Sequence, residues 1–296
     1  MIFVHKYLRA IGFGKLNNRK ELKELLTKAI QNAAERAYVT NGEETMFAEF
    51  SMSYGENIGI AVRGEFDEES NFTYEYYFPY LRGSGITSEE DVSIERHAAM
   101  ESYAGVCDDL KVGVSLIFYL QNVIPYLKVK NNDSLPVRGT TLTVSGLSCQ
   151  GTVMMPIIKN ENQKKRIKRN ATNRNSLIAA ARKGDEDAIE SLTLEDMDTY
   201  TTISRKIMKE DVFSLVDTYF MPYGVECDQY SILGEIMECH TIINNFTKET
   251  IYQMTVSCND LVFDICINQI DLLGEPVVGR RFKGIIWLQG FINFPE

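Results

Sequence analysis

The last quarter of the chain, residues 222–294, restricts the possible folds most strongly, because it is dense in signals for short extended strands. Three runs rich in β-branched and aromatic residues lie in it: residues 230–236, 251–257 and 262–267. Asn259 and Asp260 stand between the last two runs, and both residue types tolerate the left-handed backbone angles of a tight hairpin turn. The pattern predicts antiparallel strands joined by short turns.

The end of this stretch, residues 279–290, places Trp287 and other large apolar residues between glycines. Glycine inside a strand pattern indicates a bulge or a sharp bend, so we expect a bent pair of strands with the bend at Gly284. About five short strands in roughly 70 residues favour a closed barrel, since closure removes exposed strand edges. The C-terminal part is therefore predicted to be a small β-barrel, OB-like or SH3-like.

Five sequence blocks from both ends of the chain form recognisable signatures. They are Pro222-Tyr-Gly-Val-Glu-Cys-Asp-Gln-Tyr, Cys258-Asn-Asp-Leu, Asp271-Leu-Leu-Gly-Glu-Pro, Gly279-Arg-Arg-Phe-Lys-Gly-Ile-Ile-Trp-Leu-Gln-Gly and, near the start, His5-Lys-Tyr-Leu-Arg-Ala-Ile-Gly-Phe. Together they resemble an uncharacterised clostridial family, a domain-of-unknown-function group of similar length. The resemblance implies a soluble bacterial protein with no assigned activity, so it supplies no catalytic residues.

The predicted fold class is α+β, and the length of 296 residues with 44% hydrophobic content favours two domains. The predicted parts are an α+β domain at residues 1–158, a basic linker at 159–175, a helical bridge at 176–221 and a β-barrel domain at 222–296. The N-terminal domain is expected to be an antiparallel sheet with a packed helix.

The elements of the N-terminal domain follow from its periodicity. Apolar residues at steps of three and four predict a helix over residues 18–38, with Asn18 as its N-cap. Alternating runs predict a meander of strands at residues 45–53, 58–66 and 72–81. The segment of residues 87–110 is ambiguous between helix and strand, and we expect a strand at residues 92–102 within it. A strand buried on both faces is expected at residues 112–123. Residues 140–145 and 152–158 are expected to form a hairpin.

The middle of the chain has a different composition. Residues 159–174 carry seven basic and one acidic side chain, which indicates a linker or the exposed start of a helix. Helices are predicted at residues 176–183, 185–192 and 193–208, while periodicity does not assign residues 211–221 to the bridge or to the barrel. The acidic residues crowded between Gly184 and Asp198 are interpreted as solvated helix starts, which the helix dipole favours.

Net charge and cysteine usage exclude several classes of function. The formal charge of −10 makes broad attraction to nucleic acid or anionic lipid unexpected. Six cysteines lie singly in apolar runs, as buried reduced thiols do. Cys227, Cys239, His240 and Cys258 form a weak candidate metal set, since adjacent strand residues point to opposite faces. No metal, cofactor or membrane span is predicted, and we expect a cytoplasmic location.

One candidate catalytic group contains His97, with Glu95, Glu101 and Cys107 nearby in sequence. An imidazole beside carboxylates and a thiol has the chemistry of a base and a nucleophile. The plain alternative is a half-buried histidine in a mixed segment. The common signatures of NTPases, zinc proteases and α/β-hydrolases do not occur in the sequence.

A second candidate group would bind nucleic acid. Arg280, Arg281, Lys283 and Trp287 place cations beside an aromatic ring on a predicted barrel strand, and the basic residues Lys164, Lys165 and Arg166 offer a further contact. Barrels hold single-stranded nucleic acid through such stacking and phosphate contacts. Alternatively, Trp287 within Ile-Ile-Trp-Leu belongs to the core.

The sequence therefore leaves three functions open. The first is a non-catalytic binding or interaction protein with an unknown protein partner, because catalytic signatures are missing. The second is single-stranded nucleic-acid binding through the barrel. The third is an enzyme of unrecognised type that uses His97 and Cys107.

Overall fold

The computed structural model describes residues 4–41, 45–96, 102–109, 115–132, 134–135, 137–157, 161–207 and 216–295. Two β-sheets with helices at their margins make up this part of the chain, which confirms the predicted α+β class. Among the described helices, none combines the length and the hydropathy that crossing a bilayer requires.

The first sheet is an antiparallel meander, as predicted. Its strands, in spatial order, are β1 (Glu35–Asn41), β2 (Thr45–Gly55), β3 (Ile58–Phe66) and β4 (Phe72–Leu81). Strand β1 corrects the C-terminal end of the helix predicted over residues 18–38, since residues 35–38 belong to this strand. It pairs with β2 from Glu35 opposite Ser51 to Asn41 opposite Thr45. Cross-strand pairing overrides the helical preference of Ala37 in this strand.

The first half of that predicted helix exists as α1 (Arg19–Gln31). The side-chain oxygen of Asn18 accepts a hydrogen bond of 2.8 Å from the backbone N–H of Glu21, which confirms the predicted cap. Leucines and an alanine at helical spacing are buried against the sheet: Leu22, Leu25, Leu26 and Ala29. Local pattern therefore predicted where this helix begins but not where it ends.

The second sheet contains the remaining strands. They are β5 (Val92–Arg96), β6 (Tyr103–Cys107), β7 (Leu116–Leu120), β8 (Thr141–Met154), β9 (Tyr219–Pro222), β10 (Gln229–Ile243), β11 (Thr250–Cys258), β12 (Leu261–Asn268), β13 (Leu272–Leu273) and β14 (Arg281–Asn293). Strands β5 to β7 extend the sheet beyond β14.

Five of these strands close into the predicted barrel. Strands β10, β11 and β12 form an antiparallel meander, β12 pairs in parallel with β8, and β14 pairs with both β8 and β10. A turn of 3-10 helix, Gln269–Asp271, follows the meander, and β14 then lies between the first and second barrel strands. These pairings give the closed five-stranded β-barrel that the sequence predicted.

The barrel draws one strand, β8, from residues before the basic segment. The predicted boundary at residue 158 thus lies C-terminal to a barrel strand, and the division into domains stays a prediction. The hairpin predicted from residues 140–145 and 152–158 is instead this single long strand. Likewise, the pair of strands predicted within residues 279–290 is the one strand β14, bent by a register shift between Gly284 and Ile286.

Two further predictions need correction in the segment before β8. Within the expected strand at residues 112–123, of which 112–114 lie outside the described residues, β7 covers Leu116–Leu120 and ends before residue 121. Its residues alternate between buried and half-buried. Helix α2 (Val123–Asn131), which packs beside β1, begins where that apolar run ends. A buried helix and a buried strand have the same continuous apolar composition, so periodicity could not separate them.

The basic and acidic segments of the middle region form an antiparallel helix pair. Helix α3 (Glu161–Ala181) contains the basic run, so the described part of the predicted linker, residues 161–175, is helical. Helix α4 (Glu186–Ile207) joins the later two predicted helices into one. The guanidinium of Arg174 lies 2.8 Å from Asp196 and 3.5 Å from Glu195. Opposite charges on the two helices therefore favour their pairing.

The two sheets meet at a buried polar cluster, which we call the junction network: Glu49, Arg63, Tyr76, Tyr119, Gln121 and Gln289. Arg63 of β3 is fully buried and donates to the Glu49 carboxylate, to the carbonyl of Gln121 and to the hydroxyls of Tyr76 and Tyr119. The amide of Gln121 donates to Leu81 O and to Gln289 Oε1, at 2.8 and 2.7 Å. The network thus joins β3 and the end of β4 to the second sheet.

Removing one partner of the junction network should be costly. Glu49→Leu leaves the buried Arg63 guanidinium without its carboxylate, and we expect a loss of about 3–5 kcal/mol in the free energy of unfolding, measured by urea denaturation. The double variant Glu49→Leu/Arg63→Met should lose less than the single variant, because no buried charge is left unpaired.

The matched control is the exposed pair of Glu35 and Arg82, whose side chains are 58% and 45% accessible. Glu35→Leu should cost no more than about 1 kcal/mol, because water screens exposed ion pairs. Equal losses for the two single variants would contradict the role assigned to the junction network.

Candidate functional site

An open groove of about 330 Å³ lies on the wall of the barrel, and we call it the barrel-wall groove. Strands β8, β10 and β14 and the loop after β9 form it. Its lining residues are Gln150, Gly151, Thr152, Met154, Tyr223, Ser231, Lys283, Gly284 and Ile285.

The groove exists because the β8–β14 ladder is irregular at this point. The register shifts between Gly284 and Ile286, and the Ser148 hydroxyl donates to the carbonyl of Ile285 at 2.9 Å. Gly151 lies opposite Gly284, and a Cβ atom added at Gly151 would approach the Phe282 ring to 2.4 Å. Only glycine at position 151 therefore allows Phe282 to fill the barrel interior beneath the groove.

The side chains of the groove combine a cation, hydroxyls and an aromatic ring. Lys283 lies directly across from Thr152 in the ladder. Ser231 donates to the phenol oxygen of Tyr219 at 3.4 Å, and Tyr223 leaves 46% of its surface exposed at the rim. An ammonium beside hydroxyl groups suits an anionic group, and an exposed ring suits a flat or apolar one.

The predicted nucleic-acid residues at the start of β14 make different contacts. Lys283 lines the groove, whereas Arg280 donates to the carbonyl of Glu275 at 2.9 Å. Arg281 is 6% exposed and donates to the carbonyls of Met155 and Val216 at 3.0 and 2.9 Å. These two hydrogen bonds hold the segment before α3, at Met155, and the segment after α4, at Val216.

Trp287 occupies the core, as the alternative interpretation proposed. It is 5% exposed, stacks on Tyr7 with ring centroids 5.3 Å apart, and donates from Nε1 to the Asp228 carboxylate at 2.6 Å. Its ring is covered by the N-terminal segment and does not face solvent. The basic residues Lys164, Lys165 and Arg166 lie within α3.

The predicted catalytic group is only partly described. His97 and Glu101 lie outside the described residues, and Glu95 lies on β5. Cys107 is fully buried on β6, where its thiol donates to the Ser88 hydroxyl at 3.7 Å. Burial raises the pKa of this thiol to about 11, so it is protonated at neutral pH and is a poor nucleophile.

The structure places the cysteines of the candidate metal set in different environments. Cys258 is buried and its thiol donates to the carbonyls of Tyr219 and Leu233, while Cys227 is exposed on the loop before β10. In the described ranges, no three side chains of the His, Cys, Asp and Glu types are grouped so that they could hold a metal ion. All six cysteines are free thiols.

A second cavity, of about 240 Å³, lies between the start of α1 and the loop that joins β10 to β11. Asn244 and Asn245, which begin that loop, are typical turn residues. Phe246 forms one wall of this cavity and α1 another, and these elements are more than 200 residues apart in the chain. A local sequence pattern cannot predict contact between segments so far apart. The one local signal is a large apolar residue, Phe246, within a turn sequence.

Comparison with known proteins gives a match to a family model. Its description is "Domain of unknown function, E. rectale Gene description (DUF3881)", and it matches residues 8–290. No curated protein and no solved structure matches the chain. The matched range contains four of the five blocks on which the resemblance was based and most of the fifth.

The thiol chemistry of Cys107 can be checked by alkylation. In the native protein at pH 8, iodoacetamide should label Cys107 at least about a hundredfold more slowly than the exposed Cys227, because burial and a raised pKa both suppress the thiolate. Mass spectrometry of the alkylated peptides measures both rates. Labelling in urea serves as the control, and rapid native labelling of Cys107 would reinstate it as a nucleophile.

Proposed function

Since the chain belongs to this family of domains of unknown function, we propose its function from the geometry: it is a non-catalytic binding protein whose ligand lies in the barrel-wall groove. The observation that carries the proposal is the groove itself, where Lys283, two hydroxyl side chains and the exposed ring of Tyr223 meet. Burial and the raised pKa of the Cys107 thiol argue against its use as the nucleophile of the enzyme alternative.

The groove defines the chemical class of its ligand. Lys283 and the hydroxyls of Thr152 and Ser231 suit a carboxylate, sulfonate or phosphate. Met154 and Tyr223 flank them with apolar surface. The ligand is therefore an anionic group attached to an aromatic or apolar body, which a small molecule or a segment of a protein partner can provide.

We also place the protein in the cytoplasm. Its six free cysteines support this proposal, because a reducing compartment keeps thiols unpaired. The division into an α+β part, a basic segment, a helical bridge and a barrel stays part of the same proposal.

The anionic dye 1-anilinonaphthalene-8-sulfonate is a suitable probe for the groove, since it joins a sulfonate to aromatic rings. We expect saturable fluorescence enhancement by the native protein. Lys283→Met and Tyr223→Ala should each lower the affinity for the dye about threefold to fivefold, because each removes contacts that contribute roughly 1 kcal/mol to binding.

Lys130→Met is the matched control for the lysine, since Lys130 is exposed on α2 and lies outside the groove. Val225→Ala, at a residue 97% exposed, controls for a change in the loop next to Tyr223. Equal dye affinity in the groove variants and the controls would refute the proposed site.

Single-stranded nucleic acid is a second candidate ligand of the same groove. The specific observation is that Tyr223 offers an exposed ring beside the lining cation Lys283, in the place where Trp287 had been expected to stack. A base on the tyrosine ring and a phosphate on the ammonium reproduce the usual contacts of single strands on barrels.

Fluorescence anisotropy of a labelled 12-residue oligothymidylate, at about 20 and 150 mM salt, tests this second candidate. Binding should weaken as salt rises, and Tyr223→Ala should weaken it at both salt concentrations, because stacking does not depend on counterions. An absence of salt-sensitive binding at 20 mM salt would eliminate nucleic acid as a ligand.

A further inference from the structure

The cavity between α1 and the β10–β11 loop is a second candidate binding site, separate from the barrel-wall groove. We call it the α1 pocket. Its volume is about 240 Å³, and its lining residues are Phe13, Lys15, Leu16, Glu21, Glu24, Leu25, Lys28, Phe246, Thr247 and Glu249. Most of the lining surface is apolar, and charged side chains surround it, as in sites for small amphipathic molecules.

The walls of the α1 pocket are held rigidly by a buried amide. Asn244 is fully buried, donates to the carbonyl of Ile11 at 2.8 Å, and accepts from the backbone N–H groups of Phe246 and Thr247 at 2.9 Å. The Thr247 hydroxyl donates to the carbonyl of Gly12 at 2.6 Å. The loop that carries Phe246 is thus fixed to the N-terminal segment.

Gly12 allows these two segments to approach. Its φ of +90° lies in the left-handed region, and a Cβ atom there would be 2.8 Å from the Asn244 Cβ. Any other residue would force the segments apart. The pocket therefore exists before any ligand binds, which lowers the entropic cost of binding.

The apolar part of the α1 pocket is aromatic. The rings of Phe13 and Phe246 have centroids 6.2 Å apart, and Leu16 and Leu25 complete the apolar lining. Phe13 is 4% exposed, whereas Phe246 is 55% exposed although the loop around it is fixed. A large apolar side chain held in solvent beside a cavity is a frequent mark of a binding surface.

The charge fixed in the α1 pocket is negative. One oxygen of Glu249, Oε2, accepts from the Gly14 N–H at 3.0 Å and from the Asn268 amide at 2.7 Å, so the carboxylate is anchored in the wall. The other charged lining residues, Lys15, Glu21, Glu24 and Lys28, are exposed on flexible side chains. Three carboxylates and two ammonium groups leave the lining acidic.

The Phe246 ring already carries a cation. The ammonium of Lys28 lies 5.5 Å from its centroid, which is a cation–π distance. The lysine thus shows which kind of group the ring face accepts, and a ligand cation would compete with it for the ring.

We propose that the α1 pocket binds a small organic cation with an apolar body, such as an aralkyl ammonium ion. The apolar body lies against the paired rings of Phe13 and Phe246, and the ammonium group lies beside the Glu249 carboxylate and the Phe246 ring face. This inference does not depend on the function proposed for the barrel-wall groove, because the two sites share no lining residue.

The test uses 2-phenylethylammonium and its anionic counterpart phenylacetate as probes of the full-length protein, with ligand-observed NMR titrations to measure affinity. The cation should bind at least about tenfold more tightly than the anion. Glu249→Gln should lower the affinity for the cation about fivefold to tenfold, because a charge-assisted hydrogen bond becomes neutral. Lys28→Met should strengthen it about threefold, since the competing cation is gone.

Two further variants keep the result decisive if Glu249→Gln destabilises the anchored wall. Phe246→Ala removes an exposed ring, so the variant should stay folded and should bind the cation about fivefold more weakly. Glu238→Gln, at an exposed glutamate on β10 outside the pocket, is the matched control and should change nothing. Equal binding of phenylacetate, or undiminished cation binding in Phe246→Ala, would overturn the proposal.

Discussion

The buried guanidinium of Arg63 is the constraint on which the arrangement of the two sheets depends. A charge enclosed by apolar side chains is tolerated only where every donor finds an acceptor. Here the acceptors come from both sheets: Glu49 and Tyr76 from the first, Tyr119 and the carbonyl of Gln121 from the second. An orientation of the two sheets that broke these bonds would leave the buried charge of Arg63 without acceptors. The junction network therefore favours one orientation of the sheets.

The N-terminal segment is held by a similar use of polar groups. Residues 6–11 form a 3-10 helix that covers Trp287. The amides of Asn244 and Asn268 donate to carbonyls of this helix, and the carboxylate of Asp271 pairs with its Arg9. This docking builds one side of the α1 pocket. The barrel-wall groove arises differently, from the irregular pairing of β8 with β14. Both candidate sites therefore result from contacts between segments that are distant in sequence.

Elements stabilised by near neighbours were predictable. The cap at Asn18, the stripe of buried leucines on α1, the three-stranded meander and the turn at Asn259 and Asp260, with φ of 50° and 63°, all depend on residues a few positions apart. The site residues were less predictable. In sequence, Trp287 and Arg281 resemble a nucleic-acid-binding surface. In the structure Trp287 is buried in the core, and Arg281 donates to backbone carbonyls. The exposed ring in the groove that Lys283 lines is that of Tyr223.

By itself the sequence determined the α+β class, the presence of a small barrel near the C-terminus and the family to which the chain belongs. Periodicity and turn chemistry carry that information because they act over short distances. Tertiary structure alone decided that β8 completes the barrel, that residues 35–41 form a strand and that α3 pairs with α4. These outcomes depend on partners far along the chain, whose hydrogen bonds and charges outweigh local propensity.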